Sequence, residues 1–304
     1  MEKTMERCVN NRGLCGAGTA LVTPFDEDGR VDSESLRRVV EMNIAGGASF
    51  LCVLGTTAET PTLTDGEQRE VRRVVADVNA GRLPLLLGFG GNDTAGMVRR
   101  MAADTFDGMD ALLVVTPYYN RPSQEGLYRH FRALAEAAPL PVVLYNVPSR
   151  TGVNMAAETT LRLARDCPRI IGIKEASGDV EQIARIIDGR PEGFRVLSGD
   201  DKLTLELMRR GADGVVSVVG NLLPERVAAL TAAAADGDWR RAEAIQRELE
   251  PWCRMLFAEG SPAGVKAAMS MAGLCRNVLR LPLVPVSETL KAQMAEVMKT
   301  LSQQ

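Results

Sequence analysis

RIIGIKEAS, residues 169–177, decides how the rest of the chain is read. Three isoleucines around a glycine make a short, continuous apolar run, the pattern of a strand covered on both faces in a parallel sheet. Seven more runs of this kind occur along the chain: GTALVTPF (18–25), SFLCVLGTT (49–57), LPLLLGFGG (83–91), DALLVVTPYY (110–119), LPVVLYNVP (140–148), FRVLSGDD (194–201) and DGVVSVVGN (213–221). Longer amphipathic segments separate them. Asp32 or Ser33 can cap the first, and Thr64 with Glu67 forms a capping-box pattern for the second. Gly46 and Gly81 stand at the corresponding C-terminal ends. Eight strands that each lead into a helix predict an α/β fold, a closed (β/α)8 TIM barrel, with an open doubly wound sheet as the alternative that pattern leaves standing. Residues 1–222 are expected to form the barrel. Residues 223–304 read as four helical segments broken by Gly and Pro, the last barrel helix followed by a C-terminal helical appendage.

Composition narrows the function. The 304 residues carry 36 basic and 39 acidic side chains, a net charge of −3, so there is no electrostatic footprint for nucleic acid. No run reaches the roughly 18–20 apolar residues needed to span a bilayer. The N-terminal MEKTMERCVNNRG lacks the apolar core of a secretory signal, and a cytoplasmic protein is expected. Cys8, Cys15, Cys52, Cys167, Cys253 and Cys275 are scattered without a CxxC pair, which reads as reduced thiols and not as a disulfide frame or zinc site. With one histidine, His130, schemes needing several imidazoles are excluded and no metal is expected.

In a barrel of this kind chemistry collects at the C-terminal ends of the strands, and the unusual polar residues fall there. Strict alternation puts Ile170, Gly172 and Lys174 on one face of their strand and Ile171 and Ile173 on the other. If the isoleucines at 171 and 173 pack under the helices, Lys174 points into the barrel, with space beneath it at Gly172. An amine deprived of hydration is disfavoured in its charged form and becomes a usable nucleophile toward a carbonyl, through a Schiff base. The plainer alternative is that Lys174 pairs with Glu175 or another carboxylate at the strand end. Tyr145 shares a face with Val143 and can bring a phenol to the mouth to carry protons. Thr56 can pass such a proton on, and backbone N–H groups near Thr56 and Thr57 can hold a small carboxylate. Arg150, flanked by Pro148 and Gly152, offers a bidentate carboxylate fork. Each of these, taken alone, reads first as an ordinary residue: Tyr145 as a rim aromatic, the Thr pair as a strand end and Arg150 as a solvated surface arginine.

GTTAETPTL, TPYYNRPSQEGLYRHF, YNVPSRTG, GIKEASG and LSGDD, in this order between about residues 16 and 285, resemble the dihydrodipicolinate synthase and N-acetylneuraminate lyase superfamily of class I aldolases. The tandem tyrosines and YNVPSRTG are similar to its synthase branch. The resemblance implies a lyase of lysine and diaminopimelate biosynthesis that condenses pyruvate with aspartate semialdehyde to give 4-hydroxy-tetrahydrodipicolinate, without a cofactor beyond the imine itself. It assigns the imine to Lys174 and proton transfer to Tyr145, Thr56 and Tyr119, the last donated across a dimer interface. Thr57 is implied as a contact to the pyruvate carboxylate and Arg150 as one to the semialdehyde, with Gly199 and Val216 lining the pocket. A homotetramer, a dimer of dimers, is the implied assembly. The sequence departs from the pattern at Ala58, where a glycine is usual. It also departs at Asp65, Gln68 and Gly96, where lysine-inhibited relatives carry two histidines and a glutamate, although Asn92 and Tyr118 are kept. Feedback inhibition by lysine is therefore not expected. A sibling aldolase that cleaves a sugar acid, and a non-catalytic metabolite-binding barrel, are the competing readings.

Overall fold

The computed structural model describes residues 13–301. Eight parallel strands close into a barrel in chain order: β1 (Gly16–Ala20), β2 (Phe50–Val53), β3 (Leu85–Gly88), β4 (Ala111–Val115), β5 (Val142–Asn146), β6 (Ile170–Glu175), β7 (Arg195–Ser198) and β8 (Gly214–Ser217), with β8 pairing back to β1. The closed barrel excludes the open sheet. Each strand is shorter than its apolar run, because pairing stops where the chain turns out at the mouth. The residues beyond that point build loops instead of extending the sheet.

A helix follows each strand: α1 (Ser33–Ala45), α2 (Asp65–Asn79), α3 (Thr94–Ala103), α4 (Gln124–Ala137), α5 (Ala157–Asp166), α6 (Val180–Gly189), α7 (Thr204–Arg209) and α8 (Pro224–Ala235). The caps behave as local chemistry dictates. Asp32, not Ser33, caps α1 by accepting from the Ser35 N–H at 3.0 Å, and Thr64 and Glu67 complete the capping box of α2. Gly46 ends α1, whereas Ala80 takes the left-handed cap of α2 that was expected of Gly81. Three further helices, α9 (Trp239–Met255), α10 (Ala263–Met271) and α11 (Glu288–Leu301), follow the barrel. Among the described residues no helix is long and apolar enough to cross a membrane.

Two apolar layers hold the barrel. The outer one, between strands and helices, includes Val39, Leu51, Val74, Phe131, Leu144, Ile170, Ile173 and Val215. The inner one fills the barrel with Phe50, Cys52, Leu86, Leu113, Val143, Leu197 and Val216, so the interior is packed and only its top is available for chemistry. Fully burying one such side chain stabilises by about 1.5–3 kcal/mol.

The alternation expected through β6 does not hold. The register against β5 slips, pairing Val142 with Ile170 but Val143 with Gly172. The extra residue, Ile171, packs with the inner layer while Ile170 and Ile173 pack outside. One inserted residue reverses the faces on either side of it. Nor does Gly172 leave a void: a Cβ there would lie 2.7 Å from the Arg195 carbonyl oxygen, so the glycine lets β6 and β7 approach. Cys15 corrects the cysteine reading, being disulfide-bonded, whereas Cys52, Cys167, Cys253 and Cys275 are buried free thiols. Cys8 lies outside the described residues.

Candidate active site

Lys174 sits near the end of β6, in register with Tyr145 of β5 on one side and Leu197 of β7 on the other. Both neighbours belong to the inner layer, so Lys174 points into the barrel even though the alternation that predicted it is broken. It is 6% exposed, and its Nζ lies 4.4 Å from the centroid of the Tyr145 ring. Among the described residues it makes no ion pair and no hydrogen bond. Glu175 is not its partner. That carboxylate is fully buried on the opposite face, where it accepts from Asn146 at 3.1 Å, from the Ser177 N–H at 2.8 Å and from Gln182 at 3.3 Å. Burial raises the Glu175 carboxyl above the usual range, and these donors oppose the rise.

Gly199, just past β7, packs against the lysine stem: a Cβ at this position would be 3.1 Å from Lys174 Cε and 2.7 Å from the Ala176 Cβ. Val216 is buried in the same inner layer as Tyr145. Cys52 lies close enough for the Lys174 charge to act on it, although burial dominates and pushes the thiol up to about 11, so it remains protonated. His130 is remote from this constellation. It is buried in α4 with Nδ1 2.8 Å from the Thr94 hydroxyl, and burial pushes it down to about 4.

Thr56, Thr57 and Ala58 form a 3-10 turn immediately after β2. Thr57 is buried and Thr56 exposed. The turn's own hydrogen bonds run from the Ala58 N–H to Gly55 and from the Glu59 N–H to Thr56, leaving the N–H groups of Thr56 and Thr57 outside them. Arg150 lies on a single helical turn, Pro148–Thr151, that the sequence reading missed, and is exposed at the mouth with one guanidinium N–H donating to the Ser261 carbonyl at 3.3 Å. Tyr119 is 86% exposed, with φ +74, and Tyr118 beside it is also exposed. Within one chain, therefore, Lys174, Tyr145, Gly199 and Val216 are together. Thr56 and Tyr119 are not hydrogen-bonded to Tyr145 among the described residues.

Three buried polar clusters escaped sequence reasoning. Asn146, Asn154, Glu175 and Gln182 join the ends of β5 and β6. Asp201, its carboxyl raised above the usual range by burial, accepts from the Ser217 hydroxyl and from the Val218 N–H at 2.9 Å, fixing the turn after β8. Glu59 and Lys266 form an ion pair with both side chains fully buried. A lysine inside PAGVKAAMS, otherwise apolar, was the available signal for the last of these. Among the described residues no group of His, Cys, Asp and Glu could hold a metal ion.

Residues 14–303 match the Dihydrodipicolinate synthetase family. The chain is 49% identical over 291 residues to a 4-hydroxy-tetrahydrodipicolinate synthase of Porphyromonas gingivalis, covering 95% of this chain and 98% of the relative. It is 50% identical over 288 residues to the like-named protein of Phocaeicola vulgatus, covering 95% and 97%. Its fold superimposes with a TM-score of 0.93 on the crystal structure of dihydrodipicolinate synthase from Thermotoga maritima, at 39% identity and with 96% and 100% of the two chains covered. With a barrel matched along its whole length and a buried, carboxylate-free lysine at its mouth, the chain belongs to the dihydrodipicolinate synthetase family.

Proposed function

We propose that the chain is a pyruvate-dependent lyase that condenses pyruvate with L-aspartate 4-semialdehyde to give 4-hydroxy-tetrahydrodipicolinate, in the cytoplasm. The observation that carries this reading is Lys174: a buried amine with no carboxylate partner among the described residues, 4.4 Å from a phenol ring, at the C-terminal end of a barrel strand. An amine engaged by a carboxylate has its reacting nitrogen occupied by that contact, whereas the Lys174 nitrogen is left to meet a carbonyl.

Lys174 Nζ adds to C2 of pyruvate, and loss of the former ketone oxygen as water leaves an imine. Removal of a proton from C3 gives an enamine, with the imine nitrogen taking the electron pair. The amine thus serves as the electron sink, so the chemistry is met without a metal or organic cofactor. Enamine C3 attacks the aldehyde carbon of the semialdehyde, whose oxygen takes up a proton and becomes the 4-hydroxyl. The semialdehyde's own amine then attacks C2, closes the ring and expels the Lys174 amine.

Tyr145 is the group placed to move these protons. The N–H groups of Thr56 and Thr57 suit the pyruvate carboxylate, and Arg150, exposed at the rim, suits that of the semialdehyde. Tyr119 projects from the chain with Tyr118, and a second copy would bring it to the mouth beside Thr56, within a homotetramer built as a dimer of dimers. Borohydride reduction with pyruvate, followed by peptide mass spectrometry, should place a pyruvate-derived mass on Lys174, and an unmodified lysine would refute the reading. A coupled assay with pyruvate and aspartate semialdehyde, set against pyruvate release from N-acetylneuraminate, separates it from a sugar-acid lyase.

A further inference from the structure

The Glu59–Lys266 pair links the turn after β2 to the C-terminal helices across 207 residues of sequence, and both side chains are fully buried. Lys266 Nζ also donates to the Val278 carbonyl at 3.0 Å and lies 4.0 Å from the centroid of the Phe25 ring. The second Glu59 oxygen accepts from the Arg280 N–H at 3.0 Å. Both carboxylate oxygens and the ammonium are therefore engaged in a closed set.

Glu59 is also the backbone pivot of the site. It sits at φ +54, in the left-handed region uncommon outside glycine, where the Thr56–Ala58 turn meets the Thr60–Thr62 turn. Its N–H closes the first turn on Thr56, and its carbonyl accepts from the Thr62 N–H at 2.9 Å. Fixing the Glu59 side chain therefore fixes the direction in which the Thr56 and Thr57 N–H groups point. The segment leading into α10 reaches the other rim too, through the Ser261 carbonyl that accepts from Arg150.

We infer that Lys266, acting through Glu59, is a positioning residue that holds the Thr56–Thr57 turn as the receptor for the pyruvate carboxylate, making the C-terminal helices part of the catalytic machinery. This rests on the proposed pyruvate chemistry. A buried pair kept only for stability is replaceable by uncharged groups of similar shape with little cost. One kept for geometry is not.

The test uses the full-length protein with two variants. The double variant E59Q/K266M removes both charges together and keeps the volumes, and Glu59→Asp keeps the charge but shortens the arm by one methylene. Each should fold with an unaltered circular dichroism spectrum, raise KM for pyruvate by roughly tenfold or more, and leave KM for aspartate semialdehyde within about twofold. Borohydride trapping at Lys174 should slow in parallel at low pyruvate. Folded variants with unchanged pyruvate KM, or failure of both to fold, would give the pair a purely structural role and overturn the inference. Failure of the unaltered protein to trap pyruvate would instead refute the proposed chemistry, so the two failures are distinguishable.

Discussion

Two lysines in this protein are buried beside an aromatic ring, and their surroundings differ in kind. Lys174 Nζ lies 4.4 Å from the Tyr145 ring and has no anion against it among the described residues, while Lys266 Nζ lies 4.0 Å from the Phe25 ring and is locked to Glu59. Burial lowers the Lys266 amine below its usual range, and the Glu59 charge opposes that fall without cancelling it. Burial alone therefore does not make an amine reactive. What separates the two sites is contact: a carboxylate lies against the Lys266 amine and, among the described residues, none lies against that of Lys174.

The comparison can be broken most severely at Lys174. Replacing it with Met should cut kcat/KM by on the order of 10⁴-fold or more and abolish borohydride trapping, with an unchanged urea midpoint, because only the nucleophile is lost. Tyr145→Phe keeps the ring under the amine and removes the hydroxyl. It should lower kcat by roughly 10²–10⁴-fold while trapping still occurs at Lys174, as expected for loss of a general acid–base group. Lys266→Ala should act on stability and on pyruvate binding together, raising KM for pyruvate while borohydride trapping at Lys174 still occurs at high pyruvate. It leaves the buried Glu59 carboxyl with the Arg280 N–H but without its cation, and chemical denaturation should report a loss of about 3–5 kcal/mol.

A milder probe lies at the outer edge of the same connection. Arg280 donates to Glu67 from two guanidinium nitrogens, and this holds the Glu67 carboxyl down to about 2. A depressed carboxyl contributes stability that is fully present above its unfolded value, near 4.5, and is lost as pH falls toward 2. Arg280→Met should therefore flatten the acid arm of the stability–pH profile between these values and leave neutral-pH activity largely intact, as read by melting at stepped pH. The smallest expected effect is that of free lysine. Asp65 and Gln68 line a cavity of about 210 Å³ together with Arg69, Arg100 and the Arg72–Asp104 ion pair, and the three arginines outnumber the two aspartates, which disfavours an ammonium ligand. Millimolar lysine should leave the initial rate unchanged, and inhibition would refute this expectation.

How far the sequence could be read depended on the distance over which each feature acts. The capping box at Thr64 and Glu67 spans three residues and was legible from residue identity alone. The eight strands were legible because a strand covered on both faces leaves a continuous apolar run, although their ends were drawn too long where the mouth loops begin. Lys174 was placed correctly inside the barrel by an alternation that the Ile171 bulge in fact breaks. The direction survives because it depends on the register with Tyr145 and Leu197, not on counting from Ile170.

By itself, then, the sequence determined the number and order of the βα units and the residue types available at the strand ends, since hydrophobic period and capping are written within a few neighbours. Which of those residues meet was decided only in three dimensions. The isolation of Lys174 from Glu175, and the 207-residue reach from Lys266 to Glu59, follow from how the closed barrel and the C-terminal helices bring distant segments into contact. Partnering among buried charges is a tertiary property, because the stabilising counter-charge comes from whatever segment packs against the group.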